Sequence, residues 1–92
     1  MNNVKKYMQD LKTCLEKCSV DELVKFIESN RKILGNKQVD DFLNSTYEVK
    51  EITLHKMRAN LETLSWAERL DSAKWLIRRG YDDTIEMKNL VN

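Results

Sequence analysis

SWAERLDSAKWLIRRG, residues 65–80, is the stretch that decides the fold. Ser65 and Glu68 have the spacing of a capping box, in which each side chain satisfies a backbone N–H left without a partner at a helix start. Gly80 follows the run and can leave a helix at positive φ without a Cβ clash. Lys74, Arg78 and Arg79 near the end complement the negative pole of the helix dipole. Between these marks Trp66, Leu70, Ala73 and Ile77 fall within an arc of about 60°, with Leu76 at its edge, and so predict a helix over Trp66 to Arg79. The same punctuation recurs at Ser19–Glu22, Ser45–Glu48 and Asp83–Glu86, with Gly35 as a second stop and no proline anywhere. The expectation is an all-α fold: one domain over residues 1–92, a compact bundle of four to five short helices, mostly antiparallel neighbours.

Working outward, Val4, Tyr7, Met8, Leu11, Cys14, Leu15 and Cys18 share one face of a helix from about Asn3 to Cys18. The Ser19 cap opens a second helix, about Val20 to Leu34. Cys18 and Leu23 form a hydrophobic staple there, and Val20, Leu23, Val24, Ile27 and Leu34 form its stripe. Phe26 and Ile33 widen that stripe to about 180°, so this helix is expected to touch two neighbours. Residues 36–44 read either as a short helix carrying Val39, Phe42 and Leu43 or as the start of the next one. A third helix, about Thr46 to Leu64, carries Tyr47, Leu54, Met57, Leu61 and Leu64 on one side and a weaker set, Val49, Ile52 and Ala59, on the other, as if packed from both near its start. A last short helix, about Thr84 to Val91, would depend on packing Ile85, Met87, Leu90 or Val91.

Composition narrows the function classes. Hydrophobic residues are 41% and charged residues 34% of the 92, too apolar for disorder and too polar for a membrane span. No stretch approaches the roughly 18 apolar residues a membrane helix needs, and Met1 to Met8 lacks the apolar core of a signal peptide, so the cytoplasm is the expected address. Net charge is +1, and the halves are balanced, eight basic against seven acidic residues in 1–46 and eight against eight in 47–92. A nucleic-acid binder would carry a basic surplus, because phosphate neutralisation dominates that affinity. Cys14 and Cys18, one turn apart on one helix, are poorly placed for a disulfide and read as reduced core thiols. The excess of Lys over Arg and the frequent Asn suit an AT-rich genome, such as that of a phage or other mobile element.

Among candidate sites, Trp75 stands apart. Nine residues from Trp66 is about 900° of rotation, which sets the two indoles on opposite faces of one helix and sends Trp75 off the core stripe. Glu68, Asp71, Arg78 and Arg79 surround it in projection, and Tyr81 follows at the turn. A tryptophan ringed by charges is the composition of an interface hot spot with a polar rim.

His55 falls on a stripe with Glu51, Arg58 and Glu62 and reads as part of a solvated, salt-bridging face. It has no second His at metal-ligand spacing. Nor does it have a serine or cysteine partner in any nucleophile motif, and the serines at helix starts are explained by capping. Two glycines already used as helix stops cannot cradle a phosphate. No metal, cofactor or small-molecule substrate is expected, and no enzyme.

The function expected is therefore that of a small non-enzymatic interaction module, a regulator, adaptor or inhibitor. It would bind another protein, or a second copy of itself, through Trp75, Arg78, Arg79, Tyr81, Glu68 and Asp71. Phe26 and Ile33 form a secondary surface that a symmetric dimer would cover. The rival reading is a DNA-binding helix-turn-helix over residues 66–91. Its reading helix would begin Asp82, Asp83 and reach Glu86, which is the wrong charge to present to a phosphate backbone.

Overall fold

Side-chain hydrogen bonds open three of the helices, and the computed structural model describes residues 2–17 and 19–81. Over them run α1 (Asn2–Glu16), α2 (Val20–Ser29), α3 (Arg31–Leu34), α4 (Asn36–Leu43), α5 (Tyr47–Asn60) and α6 (Trp66–Arg78), with no strand among the described residues. The all-α class is as expected, with six helices here rather than four or five. Cys18, the Asp83–Glu86 box and the helix expected over 84–91 lie outside the described residues.

The α1 stripe is narrower than its hydropathy. Leu11, Cys14 and Leu15 are buried, while Val4 and Met8 are exposed. At α2 the Ser19 hydroxyl accepts the Glu22 N–H at 3.4 Å, the expected cap, and Val20, Leu23 and Ile27 turn inward. The helix expected to run on to Leu34 breaks at Asn30. The Asn30 side-chain amide donates to the Phe26 carbonyl at 2.8 Å and shares it with the Asn30 backbone N–H at 3.1 Å, and α3 restarts where the Ile33 and Leu34 N–H groups both donate to the Asn30 carbonyl at 3.0 Å.

Gly35 then serves two helices. Its N–H donates to the Arg31 carbonyl at 2.8 Å, and its own carbonyl accepts the Val39 N–H at 3.1 Å. It does so at φ 96°, a conformation L side chains rarely adopt. An Arg31–Asp40 ion pair at 2.7 Å bridges this corner from α3 to α4. The ambiguous segment 36–44 is thus a separate helix, and it buries Val39 completely.

Thr46, not Ser45, caps α5. Its hydroxyl accepts the Val49 N–H at 3.2 Å, while the Ser45 hydroxyl turns back to donate to the Phe42 carbonyl. Two adjacent hydroxyl residues compete for one cap, and the one in the extended conformation, at φ −71° and ψ 162°, takes it. Tyr47, expected inside, is exposed at 63% as a result of its place in the first turn. At its far end α5 stops at Asn60, four residues short of Leu64. Leu64 still reaches the core, where it is buried, but from the loop.

Two apolar clusters flank α5. The larger joins Leu11, Cys14 and Leu15 of α1, Val20, Leu23 and Ile27 of α2, Val39 of α4, Leu54 of α5 and Leu64. The smaller joins Ala59 of α5 with Ala73 and Leu76 of α6, and Ile52, Trp75 and Tyr81 pack around it. The helix is thus packed from both sides, but over Ile52 to Ala59 rather than near its start, where Tyr47 and Val49 are exposed.

Candidate interaction surface on helix α6

Three cross-links define how α6 lies on α5. Arg69 Nε donates to the Ala59 carbonyl at 3.1 Å, His55 Nδ1 and Ser72 Oγ are 2.9 Å apart, and the Tyr81 hydroxyl donates to Glu48 Oε1 at 2.7 Å. Each step forward along α6 meets a step back along α5, so the two form an antiparallel hairpin closed by residues 61–65. Arg69 meets a carbonyl at the end of α5, where the last turn lacks intrahelical partners and carries the negative pole of the dipole.

The seam between them is made of small side chains. Ala59 and Ala73 are 2% and 0% exposed, and Ser72 is 0% exposed. Small residues let two helix axes approach closely, and the interaxial distance follows the side chains at the contact. This corrects the expected phase of α6. Of the stripe Trp66, Leu70, Ala73 and Ile77, only Ala73 is buried. Trp66 is 62% exposed, and Leu70 and Ile77 are half-buried. Hydropathy missed the rotation because the centre of the contact is a serine, whose partner is a histidine seventeen residues away.

His55 is corrected in the same way. It is no solvated face residue but is 7% exposed, hydrogen-bonded to Ser72 and stacked on Trp75 with ring centroids 4.2 Å apart and planes 19° from parallel. Burial, then the Arg58 charge, push its pKa down to about 4; Asp71 opposes this and Arg79 adds to it. The imidazole is therefore neutral at pH 7. It does have a serine partner after all. That hydroxyl is fully buried in a helix seam, however, and no substrate atom can reach it while the hairpin is closed.

The Trp75 indole, expected to face away from the core, instead packs against the smaller cluster and remains half-buried. The Arg79 guanidinium lies 4.1 Å from its ring centroid, a cation–π contact made by an otherwise exposed side chain. Arg78 and Asp71 are exposed beside it. Glu68, expected as a rim charge, is half-buried: its N–H donates to the Ser65 hydroxyl at 3.3 Å, and its Oε2 is buried with no hydrogen-bond partner among the described residues. Tyr81 belongs to the hairpin, and the bond to Glu48 raises its phenol pKa. The turn before it is a Schellman motif: Tyr81 N–H donates to the Leu76 carbonyl at 2.9 Å and Gly80 N–H to that of Ile77 at 3.1 Å, with Gly80 at φ 80°.

The secondary surface separates. Phe26 packs on Tyr7 with ring centroids 5.3 Å apart, so it belongs to the α1–α2 contact, whereas Ile33 is 43% exposed on α3.

Among the described residues no three His, Cys, Asp or Glu side chains gather as a metal-binding group. No helix there is long and apolar enough to cross a membrane. Cys14 is a free thiol in the larger cluster, its pKa raised by burial. The second half of the 66–91 helix-turn-helix unit lies outside the described residues. Comparison with protein-family models, with curated proteins and with solved structures finds no match, so function has to be read from this chain's own geometry.

Proposed function

We propose that this protein is a small non-enzymatic interaction module, a regulator, adaptor or inhibitor that acts in the cytoplasm and engages a partner protein through α6. The observation that carries the reading is the state of Trp75. Its ring is held by His55, itself fixed by Ser72, and is overlaid by Arg79, yet the residue keeps part of its surface in solvent. An aromatic side chain locked in one orientation loses little entropy when a partner covers it, and the flanking Arg78 and Asp71 supply a charged rim. The burial of Ser72 supports the non-enzymatic half of the reading, and the buried thiol of Cys14 is in keeping with a reducing compartment.

The test is affinity capture from the source organism, followed by titration of the captured protein against the wild type, Trp75→Ala and Arg78→Glu. Arg78 is exposed, so Arg78→Glu leaves melting unchanged and weakens binding about fivefold or more, roughly 1 kcal/mol. Trp75→Ala weakens binding further but also lowers the melting temperature, since the ring packs on the smaller cluster. A partner held equally by all three baits would sink this assignment of the surface.

A further inference from the structure

Five helices meet around a recess of about 160 Å³. Ile27 of α2 and Val39 of α4, 6% and 0% exposed, lie deepest in it. Leu34 of α3 and Phe42 of α4, brought round by the Gly35 corner, stand half-buried above them. Met57 and Thr53 face it from α5, on the opposite side of that helix from His55 and Ala59. Tyr7 of α1 closes the remaining side, its ring held by the contact with Phe26, and the exposed Gln38 stands at the mouth. None of these side chains is charged.

Close-packed interiors leave few voids larger than a water molecule, and a void forfeits the contacts that its lining would otherwise make. This one matches in size the apolar cavity of about 150 Å³ that takes up benzene in an engineered protein. Water is a poor occupant, because it needs about two to four polar partners. Ile27 and Val39 offer none at the bottom, and the Thr53 hydroxyl already donates to the Val49 carbonyl at 2.9 Å.

We propose that the recess is a binding site for an uncharged molecule built on one aromatic ring. Volume limits the occupant to a single ring. The uncharged lining sets its charge, because an ion there would lose hydration without gaining a counter-charge. The rings of Phe42 and Tyr7 and the thioether of Met57 favour an aromatic ring over an aliphatic one. The Gln38 amide can both donate to and accept from a small polar substituent, such as a hydroxyl, left at the mouth. A molecule seated here touches α1 to α5 at once, so occupancy ties the α3–α4 corner to the rest of the bundle and stabilises the fold by mass action. No residue of α6 is among the lining, so this site and the Trp75 surface stand or fall separately.

Thermal melts and methyl NMR on the full chain test it, with toluene and benzyl alcohol as neutral probes and benzoate as the charged control. Either neutral probe at saturation raises the melting temperature by at least about 2 °C. It shifts the Ile27, Leu34 and Val39 methyl signals and leaves those of Ala73 and Leu76 in place. Benzoate binds at least about tenfold more weakly, and Leu34→Phe, which puts a ring of its own into the recess, weakens toluene by a similar factor. A wild type whose melting temperature and methyl signals do not respond saturably to either neutral probe overturns the proposal. So does benzoate binding as tightly as toluene, a set of methyl shifts centred outside the recess, or a folded Leu34→Phe that keeps full affinity.

Discussion

Acidification from pH 7 to pH 5 is expected to destabilise this protein through His55. Its ordinary pKa is 6.5, and in the folded hairpin it falls to about 4. The unfolded chain then binds the extra proton, so stability is full above 6.5 and is lost as pH falls from there toward 4. At pH 5 the unfolded imidazole is about 97% protonated and the folded one about 9%, which works out to a loss of about 2 kcal/mol relative to pH 7. The groups facing the ring are Arg58 on its own helix, Asp71 and Arg79 on α6, and Glu51 and Asp21 around the cleft between α5 and the start of α2. The indole face of Trp75 attracts an imidazolium, so about 2 kcal/mol is an upper bound. Urea unfolding at the two pH values, followed by circular dichroism, measures the loss, and His55→Asn separates it from the carboxylates. An asparagine amide can occupy the Nδ1 position against Ser72 without titrating between pH 5 and 7. The wild type should lose about 2 kcal/mol more than the variant over this interval. Equal losses in the two proteins would refute a buried, neutral His55.

Ser72→Ala leaves the buried Nδ1 of His55 without its partner and costs about 1–3 kcal/mol in urea unfolding at pH 7; a neutral result would show that the 2.9 Å contact is not formed in solution. Thr46→Ala should cost about 1 kcal/mol through loss of the α5 cap, and Ser45→Ala less; the reverse order would restore the cap to Ser45. Gly35→Ala meets no neighbouring atom within 4 Å but must hold φ 96°, so a thermal melt should show about 1–2 kcal/mol of destabilisation from the backbone alone.

The fold class was legible because helix ends are written in single residues. Ser19, Ser65 and Gly80 act where the sequence places them, and each does so through one hydrogen bond to a residue three positions away. The break at Asn30 and the choice of Thr46 over Ser45 were not legible in that way. Each is a contest between two nearby hydrogen-bonding groups, decided by backbone conformations that only the assembled fold imposes. The candidate surface was half legible. Arg78 and Asp71 are exposed as charge predicts, but the two tryptophans exchange roles, because α6 is oriented by Ser72, Ala73 and Arg69 rather than by its most apolar residues. A hydropathy wheel gives weight to Trp66 and none to a serine, yet the hairpin contact requires thin side chains and a match for the His55 nitrogen. What could have revealed Ser72 is its place beside Ala73, two small residues adjacent in mid-helix and one turn before Leu76.

Among the described residues α6 packs chiefly on α5, and this also sets the order in which the molecule comes apart. The seam that holds α6 on α5 is built on Ala59, Ala73 and Leu76, with Ile52, Trp75 and Tyr81 around them and three polar cross-links, while α1, α2, α4 and α5 share the larger cluster. Detaching α6 leaves the larger cluster intact, so α6 is expected to form a cooperative unit whose opening free energy lies below that of global unfolding. Native-state hydrogen exchange would find the Ala73 to Arg78 amides exchanging through this partial opening, while those of Leu15, Leu23 and Leu54 wait for the whole chain to unfold.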